Sequence, residues 1–403
     1  MRSQAFRHLW LAGVLSELGD GFSYVALAWL TLQLSGSSLA LGTVLMAQAI
    51  PRAALTLVGG ATSDRLSPRL QMMISSSSRT FLMGLLAILD FSGVVRLWEL
   101  FPLAACFGIV DAFFQPARAA ALPSLLRTDE LETANSLLNA GVHGSAILGP
   151  PVGGVVVAIF GTATGFAVDA ICFALGALAL ATVVMPPVAS PQTTSAEGRA
   201  GTSSTLARRI REGLVYVWAD PRLRAVLAID AAISFCFAGP LNVGLASLAR
   251  FRFQGGAAGL GLMFGTLAVG SIVGALVAGT IPRRPRIGLL LIGLAAWLAV
   301  CMAGLGFAPN PLVAATDTLV MGAAIGFEGV FGISWVQRAI PGELLARVIS
   351  IDMLVGFGMG PVSYLFAGAV AQSHPTVFFS MVGAFLVFTC LLMASSRRVR
   401  QMT

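Results

Sequence analysis

Lysine is missing from this sequence of 403 residues, and charge of any kind is scarce: charged residues make up 11% of the chain against 57% hydrophobic ones. A water-soluble domain needs far more charge to coat its surface, so the composition excludes one and requires a surface that meets lipid. Segments of about ten residues with alternating polarity are also missing, which excludes a transmembrane β-barrel. No GxxxxGKS or GxxxxGKT loop and no sizeable polar domain occurs, so ATP is not expected to drive the protein. HExxH, GxSxG and Cys–His metal spacings are absent, which argues against an enzyme and against a metal or cofactor. The five cysteines, Cys106, Cys172, Cys236, Cys301 and Cys390, fall in hydrophobic runs and read as small apolar packing residues.

What the chain does contain is a hydrophobic run, a short basic turn and another run, repeated about twelve times; each run covers the ~20 residues that cross a bilayer. The runs lie at 8–33, 39–62, 70–91, 98–120, 134–160, 163–184, 222–248, 258–281, 286–307, 311–337, 344–371 and 375–395. Their length and their Leu, Ala and Gly content predict helices. The net charge of +7 is carried by Arg and sits mainly in alternate loops: Arg2 and Arg7, Arg65 and Arg69, Arg127, the 199–224 stretch, Arg283, Arg284 and Arg286, Arg338 and Arg347, and Arg397, Arg398 and Arg400. The opposite loops hold Arg96, Arg250 and Arg252. This asymmetry predicts cytoplasmic N- and C-termini and an even number of spans. It is a topology signal, and nucleic-acid binding is not expected. The first run is too long for a signal-peptide core and is expected to be retained.

The long polar interruption at 185–221 divides the chain into an N-terminal six-helix bundle (1–184) and a C-terminal one (222–403). It begins PPVASPQTTSAEGRAGTSS, which cannot bury a core. It continues with Leu206, Ile210, Leu214 and Val217 at helical spacing among arginines. That stretch fits either an amphipathic helix on the inner membrane surface or a plain linker helix. The halves are weakly alike. ALPSLLRTDELETANS (121–136) and VQRAIPGELLARVIS (336–350) each place a Pro and a Glu-Leu pair between two helices, and Gly149-Pro150 and Gly360-Pro361 follow in the next spans. Two related six-helix halves with a site between them near the bilayer midplane is the pattern of secondary transporters.

The turn GGATSDRLSPR (59–69) resembles the loop 2–3 motif of the major facilitator superfamily through Gly60, Asp64, Arg65 and Arg69, with Ser67 and Pro68 departing from it. In that family the loop forms ionic contacts that hold one conformation closed on the cytoplasmic side, and Arg118 is the candidate partner here. SAILGPPVGG (145–154) resembles the antiporter motif of drug exporters through Gly149, Pro150, Gly153 and Gly154. Pro kinks such a helix and glycines admit a neighbouring backbone. The strings SELGDGFSYVALAWLTLQLSGSSLALG (16–42), AIPRAALTLVGGATSDR (49–65), FFQPARAAALPSLL (113–126) and YVWADPRLRAVLAIDA (216–231) are similar to the drug–proton antiporter branch. That branch includes macrolide-efflux proteins, enterobactin exporters and the mycobacterial pump Tap. The Arg motif that many of its members carry midway along span 4 is not recognisable.

The resemblance implies a cavity lined by spans 1, 4, 7 and 10. Each of these carries an acid: Glu17 and Asp20, Asp111, Asp230, and Asp317 and Glu328. An ionisable group inside a span costs about 2.5–3.5 kcal/mol on insertion scales and is a functional candidate by default. Glu17, Asp20 and Tyr24 share one helix face, with Asp20 roughly 18 Å along its span, close to the midplane. A carboxylate pair there suits a proton carrier, with Glu328 in reserve; equally, Asp20 could simply pair with Arg52 or Arg79, the arginines within spans 2 and 3. Tyr24, Asp111, Phe114, Gln115, Asp230 and Phe237 are candidates for the substrate cavity, with Phe22, Phe237 and Trp335 as adaptable apolar wall. Asp169 and Asp352 are expected to be structural, as is His143.

These readings converge on an all-α polytopic membrane protein of twelve transmembrane helices in two pseudo-symmetric bundles. It is expected to act as a monomer in a bacterial inner membrane, exporting a small amphipathic antibiotic, drug or siderophore-like compound in exchange for protons. An uptake symporter, a lipid translocator and a non-transporting sensor on the same scaffold remain open.

Overall fold

A computed structural model describes residues 4–63, 67–126, 130–183, 231–253, 255–280, 287–339, 356 and 358–395. Asp64, Arg65, Asp230, Asp352 and the whole 185–221 linker lie outside these residues.

The described residues are almost all helical, as lipid demands: backbone N–H and C=O groups without water must pair within the segment. In chain order the helices are α1 (Gln4–Ser35), α2 (Ser38–Ser63), α3 (Pro68–Phe91), α4 (Leu97–Asp111), α5 (Phe114–Leu125), α6 (Leu131–Phe160) and α7 (Thr162–Ala181). They continue as α8 (Ala231–Arg252), α9 (Gly256–Thr280), α10 (Ile287–Phe307), α11 (Pro311–Ala339), α12 (Gly358–Val370) and α13 (Pro375–Ser395). Helices α4 and α5 form one broken span, so the thirteen pieces make twelve spans. Among the described residues, nine spans are long and apolar enough to cross a membrane by composition alone. Large apolar side chains such as Phe81, Phe91, Phe160, Leu178, Leu276, Phe307 and Leu312 stand outward, more than 60% exposed, on the surface that lipid covers.

The pseudo-symmetry is visible in the packing. In the first half the second span packs on the fourth (α2 on α4) and the third on the sixth (α3 on α7). The second half repeats both pairings, α9 on α11 and α10 on α13. The halves meet through α6 on α9, where a Cβ on Gly154 would overlap the Gly261 backbone. The symmetry-related seam joins α2 to α12, where a Cβ on Gly42 would strike the Tyr364 carbonyl. At the end of the bundle that carries the α1–α2 turn, polar contacts close the seam. The Ser38 hydroxyl donates to that of Ser247 at 2.8 Å, and Gln372 bridges Ser38 N–H and Gly36 C=O, each at 2.9 Å. The Arg250 guanidinium lies 5.4 Å from the Trp29 ring centre.

Two departures from regular helix position the site. The break between α4 and α5 falls just before Pro116, whose ring nitrogen cannot donate a hydrogen bond. Side chains of α3 cover the carbonyls there: Ser75 donates to Val110 C=O at 2.9 Å and Gln71 to Phe113 C=O at 3.3 Å. In α8, the stretch from Pro240 to Gly244 winds as a π-helix, the widened turn common at functional sites.

Candidate functional site

A cavity of about 400 Å³ lies between the halves. Its N-terminal wall is Glu17, Asp20, Gly21 and Tyr24 of α1 with Ala146, Ile147 and Pro150 of α6. The opposite wall comes from α8, α9 and α11 and is mainly apolar, with Asn242 and Ser271 as its polar groups. The π-turn in α8 contributes Leu241 and Asn242 to this wall. The Tyr24 ring meets Phe264 edge-on across the gap at 5.8 Å.

Tyr24, Asp20 and Glu17 also line a second chamber of about 160 Å³ inside the N-terminal half. It runs between α1, α2, α3 and α4, with Ser23, Gln48 and Arg52 at its polar side and Leu86, Leu100, Leu103 and Phe107 along its apolar side. The span 1 acids therefore stand between two spaces.

Behind them is an ion-pair network. Asp111 is buried beside the α4–α5 break, accepts from the Arg79 guanidinium at 3.1 Å and forms an ion pair with that of Arg52 at 3.0 Å. Arg79 is wholly buried; its Nη1 also donates to Ser16 at 3.1 Å and stands 3.8 Å from Asp20. The Phe114 and Phe173 rings cover its planar group at 4.5 and 4.3 Å. Glu17 accepts from Gln115 at 2.7 Å and lies 3.9 Å from Arg118. Asp20, its side chain 31% exposed, opens onto the cavity with Arg79 at 3.8 Å, whereas Glu17, which also lines it, is held by Gln115.

Several sequence expectations need correction on this geometry. Asp111, Phe114 and Gln115 do not line the cavity: Asp111 anchors two arginines, Phe114 stacks on Arg79 and Gln115 holds Glu17. The reason is the α4–α5 break, which turns this stretch toward α1–α3. Phe237 packs into the apolar core and not onto the cavity wall, and Phe22 is buried where Gly153 meets its backbone. Glu328 is partly buried on α11 but is not part of the cavity wall, and Asp317 faces Gly304 and Cys301 of α10. The expected convergence of acids from both halves is thus not found among the described residues: Glu17 and Asp20 of the first half face a wall of the second half whose polar groups are neutral.

Of the loop motif, Gly60 lies in the last turn of α2, and Arg69 donates to the Leu180 and Ala181 carbonyls at the C-terminus of α7, a favourable end for a cation. Arg118 lies 3.9 Å from Glu17; Asp64, its expected loop partner, is outside the described residues. In the other motif, Gly149, Pro150 and Gly153 lie against Gly21 and Phe22 of α1, and Gly154 turns to α9. Five groups near the site escape sequence reading: Ser16, Ser23, Gln48, Asn242 and Ser271 are common residue types whose helix faces become distinctive only once packed. Asp169, expected to be structural, lies behind α1 through the packing of α7.

The family model described as transmembrane secretion effector matches residues 1–403. The multidrug efflux pump Tap of Mycolicibacterium fortuitum is 27% identical over 375 residues, which cover 90% of this chain and 88% of that protein. An uncharacterized transporter of the same superfamily from Bacillus subtilis, YfiS, is 27% identical over 393 residues, 94% of this chain and 88% of its own. Among solved structures, the nucleoside transporter NupG superposes with a TM-score of 0.72 over 98% of this chain and 99% of its own at 14% identity, a likeness of fold alone.

Proposed function

Because the chain belongs to the transmembrane secretion effector family of the major facilitator superfamily, we propose that it exports small amphipathic compounds in exchange for protons. The observation that carries this reading is the cavity between the halves, apolar over most of its wall and edged on one side by Glu17 and Asp20. A pocket of this size suits a drug-sized molecule, with few polar groups to orient it. Acids on one wall favour neutral or cationic guests. The similarity to a multidrug efflux pump supports outward transport.

The chemistry assigned to Asp20 follows from its setting. As a carboxylate it shares the field of Arg79 at 3.8 Å and can hold a cationic group of the guest. Once it takes a proton it loses both attractions, and Arg79 settles on Asp111. Proton and substrate then exclude one another at Asp20, which is the requirement for exchange. The arginine asymmetry supports cytoplasmic termini in a bacterial inner membrane. In that orientation the seam at Ser38 and Ser247 closes the outer side, and the half-on-half rocking typical of inverted repeats reopens it.

The test is accumulation of a panel of lipophilic dyes and antibiotics in a pump-deficient host, with and without an uncoupler. Expression should lower accumulation, and the uncoupler should restore it. Efflux that survives collapse of the proton gradient rejects antiport, and raised accumulation on expression would mean uptake. Asp20→Asn should lose concentrative export while still binding the dye; normal pumping by that variant removes Asp20 from the coupling role.

A further inference from the structure

Asp169 on α7 has no part in the mechanism above, yet it is the most isolated acid of the network. It is wholly buried, and neither of its carboxyl oxygens has a hydrogen-bond partner among the described residues. It lies directly behind the span 1 acids: a Cβ on Gly19, the residue before Asp20, would overlap its carboxyl group. The groups that face it are Ser23 and Asp20 of α1, Arg79 of α3, Asp111 of α4 and Cys172 on its own helix.

Charge counting singles it out. Four acids, Glu17, Asp20, Asp111 and Asp169, share the cluster with three guanidiniums, Arg52, Arg79 and Arg118. If all were ionised, one negative charge would be left over among the described residues. Asp111 has two arginines, Glu17 has Gln115 and Arg118, and Asp20 has Arg79. Asp169 has none within ion-pair distance among the described residues, so the cluster is neutral when the surplus proton sits there.

The Ser23 hydroxyl is placed to connect the two acids. It faces Asp169 and donates to the Asp20 backbone carbonyl at 3.3 Å, a long bond from which a hydroxyl can turn. Ser23 also lines the side chamber together with Asp20.

We propose that Asp169 is a second proton-binding residue, which holds the proton while the halves are closed at the Ser38 end and passes it to Asp20 through the Ser23 hydroxyl. The transfer balances. The Asp169 O–H bond breaks as its proton passes to the Ser23 oxygen, and Ser23 gives its own proton to the Asp20 carboxylate. The products are a neutral Asp20 and an ionised Asp169. Arg79, freed from Asp20, has Nε and Nη2 without hydrogen-bond partners to turn toward the new anion. The hand-off rests on the antiport reading above; the seat of the proton does not.

The test uses the purified full-length protein and three variants, Asp169→Asn, Asp20→Asn and Ser23→Ala. Infrared spectroscopy near neutral pH reads the carboxylic C=O absorption without any substrate. The band is expected in the wild type, lost in Asp169→Asn and kept in Asp20→Asn and Ser23→Ala. In proteoliposomes, uphill movement of tetraphenylphosphonium driven by a pH gradient should be abolished by Asp169→Asn and slowed by Ser23→Ala. Absence of a band dependent on Asp169 means that the group is ionised and overturns the proposal. A band that vanishes in Asp169→Asn while that variant still concentrates the probe as the wild type does makes the acid structural and overturns it as well. Wild-type transport indifferent to the gradient is a control that rejects antiport before any Asp169 variant is read, and it overturns the hand-off whatever the band shows. Ser23→Ala retains Asp169 and so keeps the transport arm informative should Asp169→Asn fail to fold.

Discussion

Asp20 and Asp111 are the same residue type, each inside a membrane helix, and their surroundings assign them opposite work. Asp111 is buried between two guanidiniums and neutralises both. Asp20 keeps a loose contact with one and opens onto two spaces. Asp111→Asn should therefore leave Arg79 buried without its principal anion, at a cost of about 3–5 kcal/mol; unfolding in detergent, followed by denaturant or heat, would show it. Asp20→Asn removes a half-open partner and should change stability by no more than about 1 kcal/mol in the same measurement. Equal losses in the two variants would contradict this division. Arg79→Lys should not rescue the network, because an ammonium cannot lie flat between Phe114 and Phe173 while bonding Asp111 and Ser16.

At the scale of the element, helix faces are decided by where regular winding stops. The α4–α5 break removes Phe114 and Gln115 from the cavity wall, and the π-turn of α8 puts Asn242 onto it. The antiporter-like motif works on two faces of one helix. Gly149, Pro150 and Gly153 settle on α1, next to the acids, and Gly154 settles on α9 across the seam. Gly154→Leu should leave each half folded while overpacking the seam by about 1–3 kcal/mol. A penalty of that size against the closed state shifts the population by about 5–150-fold. Labelling of a cysteine introduced by Ser247→Cys, in a background without the native cysteines, should rise accordingly; unchanged labelling would mean that α6 and α9 do not form the moving contact.

At the scale of the molecule, the two halves repeat each other's packing and touch along two symmetry-related seams, α6 with α9 and α2 with α12. The Ser38–Ser247 contact at 2.8 Å offers a way to hold the molecule in this state. In the same cysteine-free background, Ser38→Cys with Ser247→Cys should form a disulfide on mild oxidation. Transport should stop and return on reduction. Continued transport with the bridge formed would show that the seam need not open.

Most of the fold was legible in the primary structure because lipid imposes simple rules. Runs of apolar residues must become helices, because the backbone groups of a segment in lipid must pair within it. The site was legible only in part. Glu17, Asp20 and Tyr24 share a face because they share one unbroken helix, and spacing alone reveals that. The roles of Asp111, Phe114 and Gln115 were not legible, since a break in the helix re-aims all three. The sequence reads Asp169 as structural; its place behind Gly19 depends on how α7 docks on α1, a relation between residues about 150 positions apart that no local pattern carries. Hydropathy thus determined what this chain is: a membrane protein of twelve spans built from two like halves. The packing of helices decided what its charges do, because the energy of a buried charge depends on which other charges lie within a few ångströms, and only the tertiary structure sets those distances.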